Sequence, residues 1–288
     1  MGAYIIKRIA IGIVTLFLVA TITFFLMYLV PGGPFLSEKA PSKQTIEALE
    51  KKYGLDQPVY IQYINYMKGL LKLDLGPSLK MRGRDVAEVI KTRFPVSAKL
   101  GGIAMLLAIC IGIPMGTFSA INRGKWFDSI VMIICTLGIA VPGFVVATVL
   151  MYFFGVTLHL LPTYGLSSPA HYILPVTALA FYPTAYISRL MRSSMLDVLG
   201  QDYMRTAKAK GLSQFKSLFK HALRNAVLPI ITYLGPALAY ILTGSLVVEK
   251  IFTIPGLGRQ FVGSITDRDY PLIMGTTIFL AFLEYRNL

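Results

Sequence analysis

Long stretches without a charged side chain constrain this sequence more than any other feature. Residues 9–30 and 100–121 form two uncharged runs of 22 residues each, and no Asp, Glu, Lys or Arg occurs in residues 129–188. A helix needs roughly 20 residues, at about 1.5 Å each, to cross the hydrocarbon core of a bilayer. A soluble core has no need of repeated charge-free runs of this length. The sequence therefore predicts an all-α polytopic membrane protein.

About six transmembrane helices are predicted from these runs. The long uncharged interval has room for two spans, divided at residues 157–171, where proline, glycine and serine are concentrated. The first run is too long for a signal peptide and is interpreted as a retained anchor. The predicted spans are residues 9–30, 100–121, 130–154, 172–190, 226–248 and 270–283. The last has only 14 residues, which as a helix reaches about 21 Å and is short for a span.

The basic residues predict the orientation. With a cytoplasmic N-terminus, the inner segments hold 13 Lys and Arg, and the short outer segments hold 3. The outer segment 31–99 is left out because the positive-inside rule applies to loops shorter than about 60 residues. The sequence thus predicts that both termini are cytoplasmic and that residues 31–94 are an extracytoplasmic segment with amphipathic helices. Apolar side chains at helical spacing in residues 60–71 would either pack on the spans or lie on the membrane surface.

The sequence lacks the residues that ion coupling, ATP binding and metal binding require. Apart from Arg189 at the end of the fourth span, the predicted spans contain no Asp, Glu, Lys or Arg of the kind that ion-driven carriers place in the membrane. No phosphate-binding loop pattern occurs, so any ATP would be bound by partner subunits. Cys110 and Cys135 lie in spans, and three scattered histidines give no metal-ligand spacing. We expect no catalytic residues, no cofactor and no metal in this chain.

Prolines and small residues recur within the spans. Because proline lacks a backbone donor, each one bends or breaks a helix. Gly112 and Gly116 have the spacing that lets two membrane helices approach closely. Bent spans suit a bundle that opens and closes, although membrane helices also tolerate proline without such a role. The prolines concerned are Pro114, Pro142, Pro175, Pro183, Pro229 and Pro236.

The predicted inner loop, residues 189–224, has the clearest local sequence pattern. It holds eight basic and two acidic residues. Residues 202–210 are rich in helix formers and end at Gly211, a typical residue just past a helix end. Ser213 is positioned to cap a second helix, which would place Phe215, Leu218, Phe219 and Ala222 on one face. Two short helices at the membrane surface predict a docking element, and charge anchoring alone is the alternative.

The stretch DYMRTAKAKGLSQFKSLFKHALRNAVLP, residues 202–229, resembles the signature loop of permease subunits in bacterial binding-protein-dependent ABC importers. The family pattern is E-A-A-x3-G-x9-I-x-L-P. Arg205, Thr206 and Ala207 stand at the E-A-A positions and Gly211 at the glycine, while residues 221–224 stand at I-x-L-P. The departures from the pattern resemble the variant of the peptide-importer branch.

Further segments along nearly the whole chain resemble the first-permease group of oligopeptide importers. Permeases for dipeptides, nickel or glutathione share much of the pattern and remain alternatives. The resemblance implies a type I ABC importer fold, with an N-terminal transmembrane helix at 1–30 and the shared transmembrane domain at 95–288. The segments are YIIKRI, VPGGPF, LGPSLK, FPVSAKLGG, VEKIFTIPGLGRQFV and DRDYP.

The resemblance also implies partners and a role for the loop. A second permease, two ATP-binding ATPase subunits and an extracytoplasmic peptide-binding protein would complete an importer in the bacterial plasma membrane, and nucleic acid plays no part. The ATPase-docking helix would consist of Arg205, Thr206, Ala207, Lys208, Ala209, Lys210 and Gly211. Relatives continue the last span beyond the position of Phe282, so the chain is expected to end early, by truncation, by a frameshift or through the ending assigned to the gene. A self-sufficient channel and a membrane enzyme are the alternatives from other classes.

Overall fold

The computed structural model describes residues 2–29, 34–35, 43–81 and 83–287. Within these ranges the chain is helical, and its one β contact is an isolated antiparallel bridge between Pro77 and Asp85. The predicted all-α class is confirmed. Two compact units are present, the first formed by Met1–Val96 with Pro255–Arg286 and the second by Ser97–Ile254. Residues 30–33, most of the VPGGPF segment, lie outside the described ranges.

The first unit is built around the start of a long helix, α4 (Val86–Ile121). Its core packs Val86, Val89 and Ile90 of α4 against Leu257 and Leu272, which removes branched apolar side chains from solvent. The helices of this unit are α1 (Gly2–Leu29), α2 (Lys43–Tyr53), α3 (Val59–Leu71), the beginning of α4 (Val86–Ile121), α12 (Leu257–Asp267) and α13 (Tyr270–Asn287).

Helix α3 packs on α1, which is the first of the two alternatives that the sequence left open. The rings of Tyr63 and Tyr66 lie 5.3 and 5.7 Å from the ring of Phe24. The hydroxyls of Thr21 and Tyr63 share a hydrogen bond of 2.9 Å. Aromatic pairs at such distances stabilise a contact beyond the area that they bury.

A buried carboxylate joins two distant segments of the first unit. Asp269, at the start of α13, accepts hydrogen bonds from the Ser78 hydroxyl and from the backbone N–H of Leu79, the latter at 3.1 Å. The backbone N–H of Lys80 lies 3.4 Å from the same carboxylate. Ser78 and Asp269 are each 1% exposed, so the charge of the carboxylate is stabilised by donors rather than by water.

The second unit contains the remaining helices. Its core includes Val131, Cys135 and Ala185. In chain order the helices are the rest of α4, α5 (Trp126–Ala140), α6 (Gly143–Leu150) with a π-helical continuation (Met151–Thr157), α7 (Ala170–Leu199), α8 (Asp202–Ala209), α9 (Gln214–Lys216), a π-helical segment (Ser217–Ala222), α10 (Leu223–Ala226) and α11 (Leu228–Ile251).

The third predicted span, residues 130–154, is two helices rather than one. Trp126–Ala140 and Gly143–Thr157 meet at an angle of 104°. The break lies at Pro142, and Val141 before it has extended geometry with ψ 123°. A residue that precedes proline disfavours the helical conformation, which ends α5 here. The predicted break at Pro142 is confirmed, whereas Pro175 and Pro183 lie within the unbroken helix α7.

Small residues allow α7 to pack closely on two neighbouring helices. A Cβ added at Gly112 would lie 2.8 Å from Ile187, and one at Gly116 would overlap the backbone of Ser188. Gly138 of α5 has equally little room against Ala185. The predicted close approach at the Gly112 and Gly116 spacing is confirmed, because only glycine brings the backbones this near.

Length and composition alone identify fewer spans than the six predicted. Among the described residues, α1 and α4 are each long and apolar enough, and two bent helix pairs raise the number to as many as four. Helix α7 has 30 residues but contains proline, threonine and tyrosine in its middle. Helix α13 has 18 residues, about 27 Å, rather than the predicted 14. It continues through Glu284 because a charge ends an apolar run but does not end a helix.

Candidate functional site

The candidate site is the loop between α7 and α11. The sequence predicts a helix over residues 202–210, and the structure contains α8, Asp202–Ala209. Asp202 lies in its first turn, where a carboxylate favours the positive end of the helix dipole. Only Gly200 and Gln201 separate α8 from the end of α7. The position of α8 therefore depends directly on the end of α7.

Gly211 ends α8 as the sequence predicts. Its φ is +75°, a left-handed conformation that glycine adopts without a steric penalty. The backbone N–H of Leu212 donates to the carbonyl of Ala207 at 3.3 Å, the bond expected when such a residue terminates a helix. A Cβ at Gly211 would meet no atom within 4 Å. The requirement for glycine here is therefore one of backbone conformation and not of space.

Helix α8 has one buried and one open face. Met204 and Ala207, three residues apart, are 2% and 7% exposed, which is the spacing of one helical face. Of the predicted docking residues, Arg205, Thr206, Ala209, Lys210 and Gly211 are exposed, Ala207 is buried, and the side chain of Lys208 lies outside the described set. Arg205 is 3.5 Å from Asp202 in an exposed ion pair that contributes little to stability.

The second short helix begins where the sequence predicts it, and the apolar residues predicted to share one face differ in exposure. The Ser213 hydroxyl accepts a hydrogen bond from the backbone N–H of Lys216 at 3.3 Å, which confirms the predicted cap. Ala222 is buried, whereas Phe215 and Phe219 are 71% and 41% exposed. The segment Ser217–Ala222 is π-helical, so the spacing of side chains along this helix departs from that of an α-helix.

The two exposed phenylalanines form a pair beside α8. Their ring centroids are 4.5 Å apart. The Tyr203 hydroxyl of α8 accepts a hydrogen bond of 2.9 Å from the side-chain amide of Asn225, so α8 is also linked to α10. Below α8 lies a cavity of about 480 Å³, lined in part by Ile121, Leu199 and Met204. The exposed side of the loop thus carries basic and aromatic groups, and its buried side borders this cavity.

An ion pair that sequence reasoning missed holds together the helices that carry this loop. Arg192 of α7 donates from Nε and Nη2 to both carboxylate oxygens of Asp128 in α5, at 2.6 and 2.7 Å. The Ser119 hydroxyl of α4 donates to the same carboxylate at 2.5 Å, and the backbone N–H of Gly124 donates at 3.0 Å. Asp128 directly precedes the charge-free run 129–188 and Arg192 lies four residues after it, and that position was the available signal.

The surroundings of Asp128 favour its charged form. Asp128 is 4% exposed. Its hydrogen bonds from Arg192 lower its pKa well below the usual value for Asp, more than burial raises it. The same hydrogen bonds raise the pKa of Arg192. A two-pronged guanidinium–carboxylate contact is among the stronger polar interactions in proteins. It holds the end of α4 and the start of α5 against α7, close to the end of α7 from which the loop begins.

Comparison with known families agrees with this architecture. Residues 112–283 match the family described as the binding-protein-dependent transport system inner membrane component. Residues 1–101 match the N-terminal region of the same class of membrane component. The chain belongs to this family. It is a membrane-embedded transport component and not an enzyme.

Curated relatives match almost the full chain. A dipeptide transport system permease, DppB of Bacillus subtilis, is 47% identical over 98% of this chain and 92% of its own length. Oligopeptide transport system permeases, OppB of Haemophilus influenzae and of Escherichia coli, are 44% and 40% identical, each over 98% of this chain and 93% of their length.

Solved structures share the fold at low sequence identity. The MetNI methionine ABC transporter in inward-facing conformations matches with a TM-score of 0.53 and 15% identity, covering 70% of this chain and 94% of that one. An amino acid ABC transporter matches with a TM-score of 0.50 and 20% identity, covering 69% and 90%. The likeness confirms an ABC importer transmembrane fold.

Proposed function

We propose that this chain is the membrane-spanning pore subunit of an ATP-driven importer of peptides. The observation that carries the proposal is the similarity to dipeptide and oligopeptide permeases over 98% of the chain. It includes both the bent helices and the loop that bears α8. Such a subunit supplies a pathway and obtains its energy from ATP that partner subunits bind and hydrolyse.

The proposed orientation places both termini in the cytoplasm. It rests on the excess of Lys and Arg in the segments that would then be inside, 13 against 3 in the short outer segments. The loop with α8 is cytoplasmic in this arrangement, and α3 is extracytoplasmic. The bacterial inner membrane is the corresponding location.

The proposed partners are a second permease, two ATPase subunits and an extracytoplasmic peptide-binding protein. The ATPase would bind the outward face of α8, where Arg205, Thr206, Ala209 and Lys210 are exposed. Phe215 and Phe219 provide an adjoining aromatic surface, and paired aromatic side chains are frequent anchors in protein interfaces. The buried side chains of Met204 and Ala207 would transmit movement of α8 to the end of α7.

Substitution of Gly211 tests the docking role. Valine disfavours a φ of +75°, whereas asparagine tolerates it. The test uses the purified complex with its partner subunits in proteoliposomes. We expect Gly211→Val to retain membrane insertion and ATP hydrolysis while uptake of radiolabelled trialanine falls, and we expect Gly211→Asn to behave like the unmodified chain. Normal uptake by Gly211→Val would contradict the docking role.

A separate experiment tests the class of transporter. Extraction in mild detergent followed by affinity purification of this chain is expected to recover a second permease and ATPase subunits. Uptake of dialanine and trialanine by the complex should require ATP and the binding protein. Peptide flux or ion conductance through the purified chain alone, without ATP, would instead establish a self-sufficient channel.

A further inference from the structure

Four tyrosines form a continuous ladder in the second unit, between α7 and α11. The ring centroids of Tyr182 and Tyr240 are 5.0 Å apart, those of Tyr182 and Tyr186 are 6.3 Å apart, and those of Tyr186 and Tyr233 are 4.3 Å apart. Tyr182 and Tyr186 are four residues apart on α7. Tyr233 and Tyr240 are seven residues apart on α11. Both spacings place the pair on one helix face.

Tyr182 and Tyr240 of the ladder lie near the middle of their helices. Tyr182 is 12 residues from the start of α7, about 18 Å. Tyr240 is 11 residues from the end of α11, about 17 Å. A bilayer core is about 30 Å thick, so these residues are near its midplane. Tyrosine in membrane proteins is instead concentrated at the two interfaces with water. The position of the ladder therefore calls for an explanation.

Three of the four ladder hydroxyls, those of Tyr182, Tyr186 and Tyr233, are not used to hold the described residues together. Within residues 83–287, no hydrogen bond is formed by the hydroxyls of Tyr182, Tyr186 or Tyr233, and none of the three is an enclosed atom lacking a partner. The side chains of these residues are half-buried, and Tyr240 is 51% exposed. A hydroxyl in lipid without a partner is unfavourable. The hydroxyls therefore favour contact with water or with a polar ligand.

Prolines add a second kind of polar group to the same faces. Pro183 lies between the two tyrosines of α7, and Pro236 lies between the two of α11. Each proline lacks the N–H that would pair with the carbonyl four residues earlier. For Pro236 that carbonyl belongs to Thr232, the neighbour of Tyr233. The ladder thus combines hydroxyls, which donate and accept, with a carbonyl that has lost its helical donor.

We propose that the tyrosine ladder is a contact site for the peptide backbone in the translocation pathway. This inference rests on the proposed function. No Asp, Glu, Lys or Arg occurs in residues 129–188 or 225–248, so the ladder side chains themselves are neutral, and Arg189 follows one helical turn beyond Tyr186. Neutral side chains of this kind bind amide groups and aliphatic stretches of any sequence through ring faces and hydroxyls.

Removal of the hydroxyls tests the site while retaining the rings. The triple variant Tyr182→Phe, Tyr186→Phe, Tyr233→Phe is assembled with its partner subunits in proteoliposomes. Uptake of radiolabelled trialanine is expected to fall about tenfold, because each net hydrogen bond contributes modestly, while ATP hydrolysis and recovery of the partners remain normal. Tyr152→Phe is the matched control, because Tyr152 is 58% exposed outside the ladder. Uptake by the triple variant equal to that of the control would overturn the proposal.

A labelling experiment distinguishes the pathway from an interface with the second permease. Tyr240→Cys is introduced with Cys110→Ala and Cys135→Ala, and its reaction with a small maleimide is followed in the complex. Trialanine delivered by the binding protein is expected to slow the labelling severalfold. Labelling that peptide leaves unchanged would place Tyr240 outside the pathway and contradict the proposal.

The two hypotheses fail in different ways. Failure of the unmodified complex to import either dialanine or trialanine would contradict the proposed function. Import by the unmodified complex together with unaffected transport by the triple variant would contradict the ladder alone. A loss of thermal stability or of partner recovery equal to the loss of uptake would assign the tyrosines a structural role and also overturn the proposal.

Discussion

Arg192 donates two hydrogen bonds to Asp128, from Nε to Oδ1 at 2.6 Å and from Nη2 to Oδ2 at 2.7 Å. The two residues are 64 positions apart and belong to α7 and α5. Together with Ser119 of α4, they connect three helices at the end where the loop with α8 begins. An ion pair in this position stabilises the helices that position the proposed docking element.

Removal of one partner of this pair should destabilise the second unit. Asp128→Asn leaves the guanidinium of Arg192 without a buried counter-charge, a change that typically costs about 3–5 kcal/mol. We expect a lower unfolding temperature of the purified complex, measured by intrinsic fluorescence. Asp202→Asn is the matched control, because its ion pair with Arg205 is exposed and contributes little. Equal stability of the two variants would contradict the structural role of the pair.

The same pair should make stability insensitive to moderately acidic pH. Because the folded-state pKa of Asp128 is lowered by its hydrogen bonds from Arg192, its contribution is complete above the unfolded-state pKa of about 3.9. That contribution is lost only as the pH falls below this value, toward the folded-state pKa. Unfolding temperatures measured from pH 8 to pH 3 should show a difference between the unmodified chain and Asp128→Asn that is constant above about pH 5. A difference that disappears between pH 7 and pH 5 would show that the pKa of Asp128 is raised in the folded protein, which would contradict this prediction.

Close packing of α4 on α7 predicts a large contrast between two glycines of the same helix. Gly116→Ala would force a methyl group against the backbone of Ser188, whereas a Cβ at Gly102 meets no atom within 4 Å. Alanine is the better helix former at both positions, so Gly102→Ala should be neutral or stabilising. Gly116→Ala should cost about 1–3 kcal/mol through overpacking. The comparison uses thermal unfolding of the complex, and equal effects would contradict the observed helix contact.

The carboxylate of Asp269 should hold the segment around Ser78 in place. Asp269→Ala removes the acceptor for the Ser78 hydroxyl and the Leu79 N–H. A buried donor left without an acceptor lowers the free energy of unfolding by about 1–3 kcal/mol. We expect faster tryptic cleavage after Lys80 in the purified complex. Asp267→Ala, at the exposed end of α12, is the control and should leave the cleavage rate unchanged. Resistance of Asp269→Ala to cleavage would show that the segment is held by other contacts.

Much of the local structure could be predicted from the sequence, because it depends on local physical preferences. Gly211 ends α8 through its own backbone conformation, and Ser213 caps the next helix with its own hydroxyl. The break at Pro142 follows from the missing donor and from the restriction on the preceding residue. The close approach at Gly116 follows from the spacing of small residues on one helix face.

Contacts between distant residues could not be predicted in this way. Asp128 directly precedes the apolar run 129–188 and Arg192 lies four residues beyond it, but no single-sequence pattern indicates that they pair. The same is true of Ser78 and Asp269, and of the tyrosines that α7 and α11 bring together.

The glycine contacts and the Arg192 ion pair both lie on α7, which also bears Tyr182 near its middle and leads to α8 at its end. Leu199 is 17 residues beyond Tyr182, about 26 Å along the helix axis. Because α7 is one continuous helix held by its neighbours at two levels, the tyrosines and the loop are joined by a single rigid segment. Under the proposed function, a displacement of α8 would therefore reach the tyrosines without an intervening hinge.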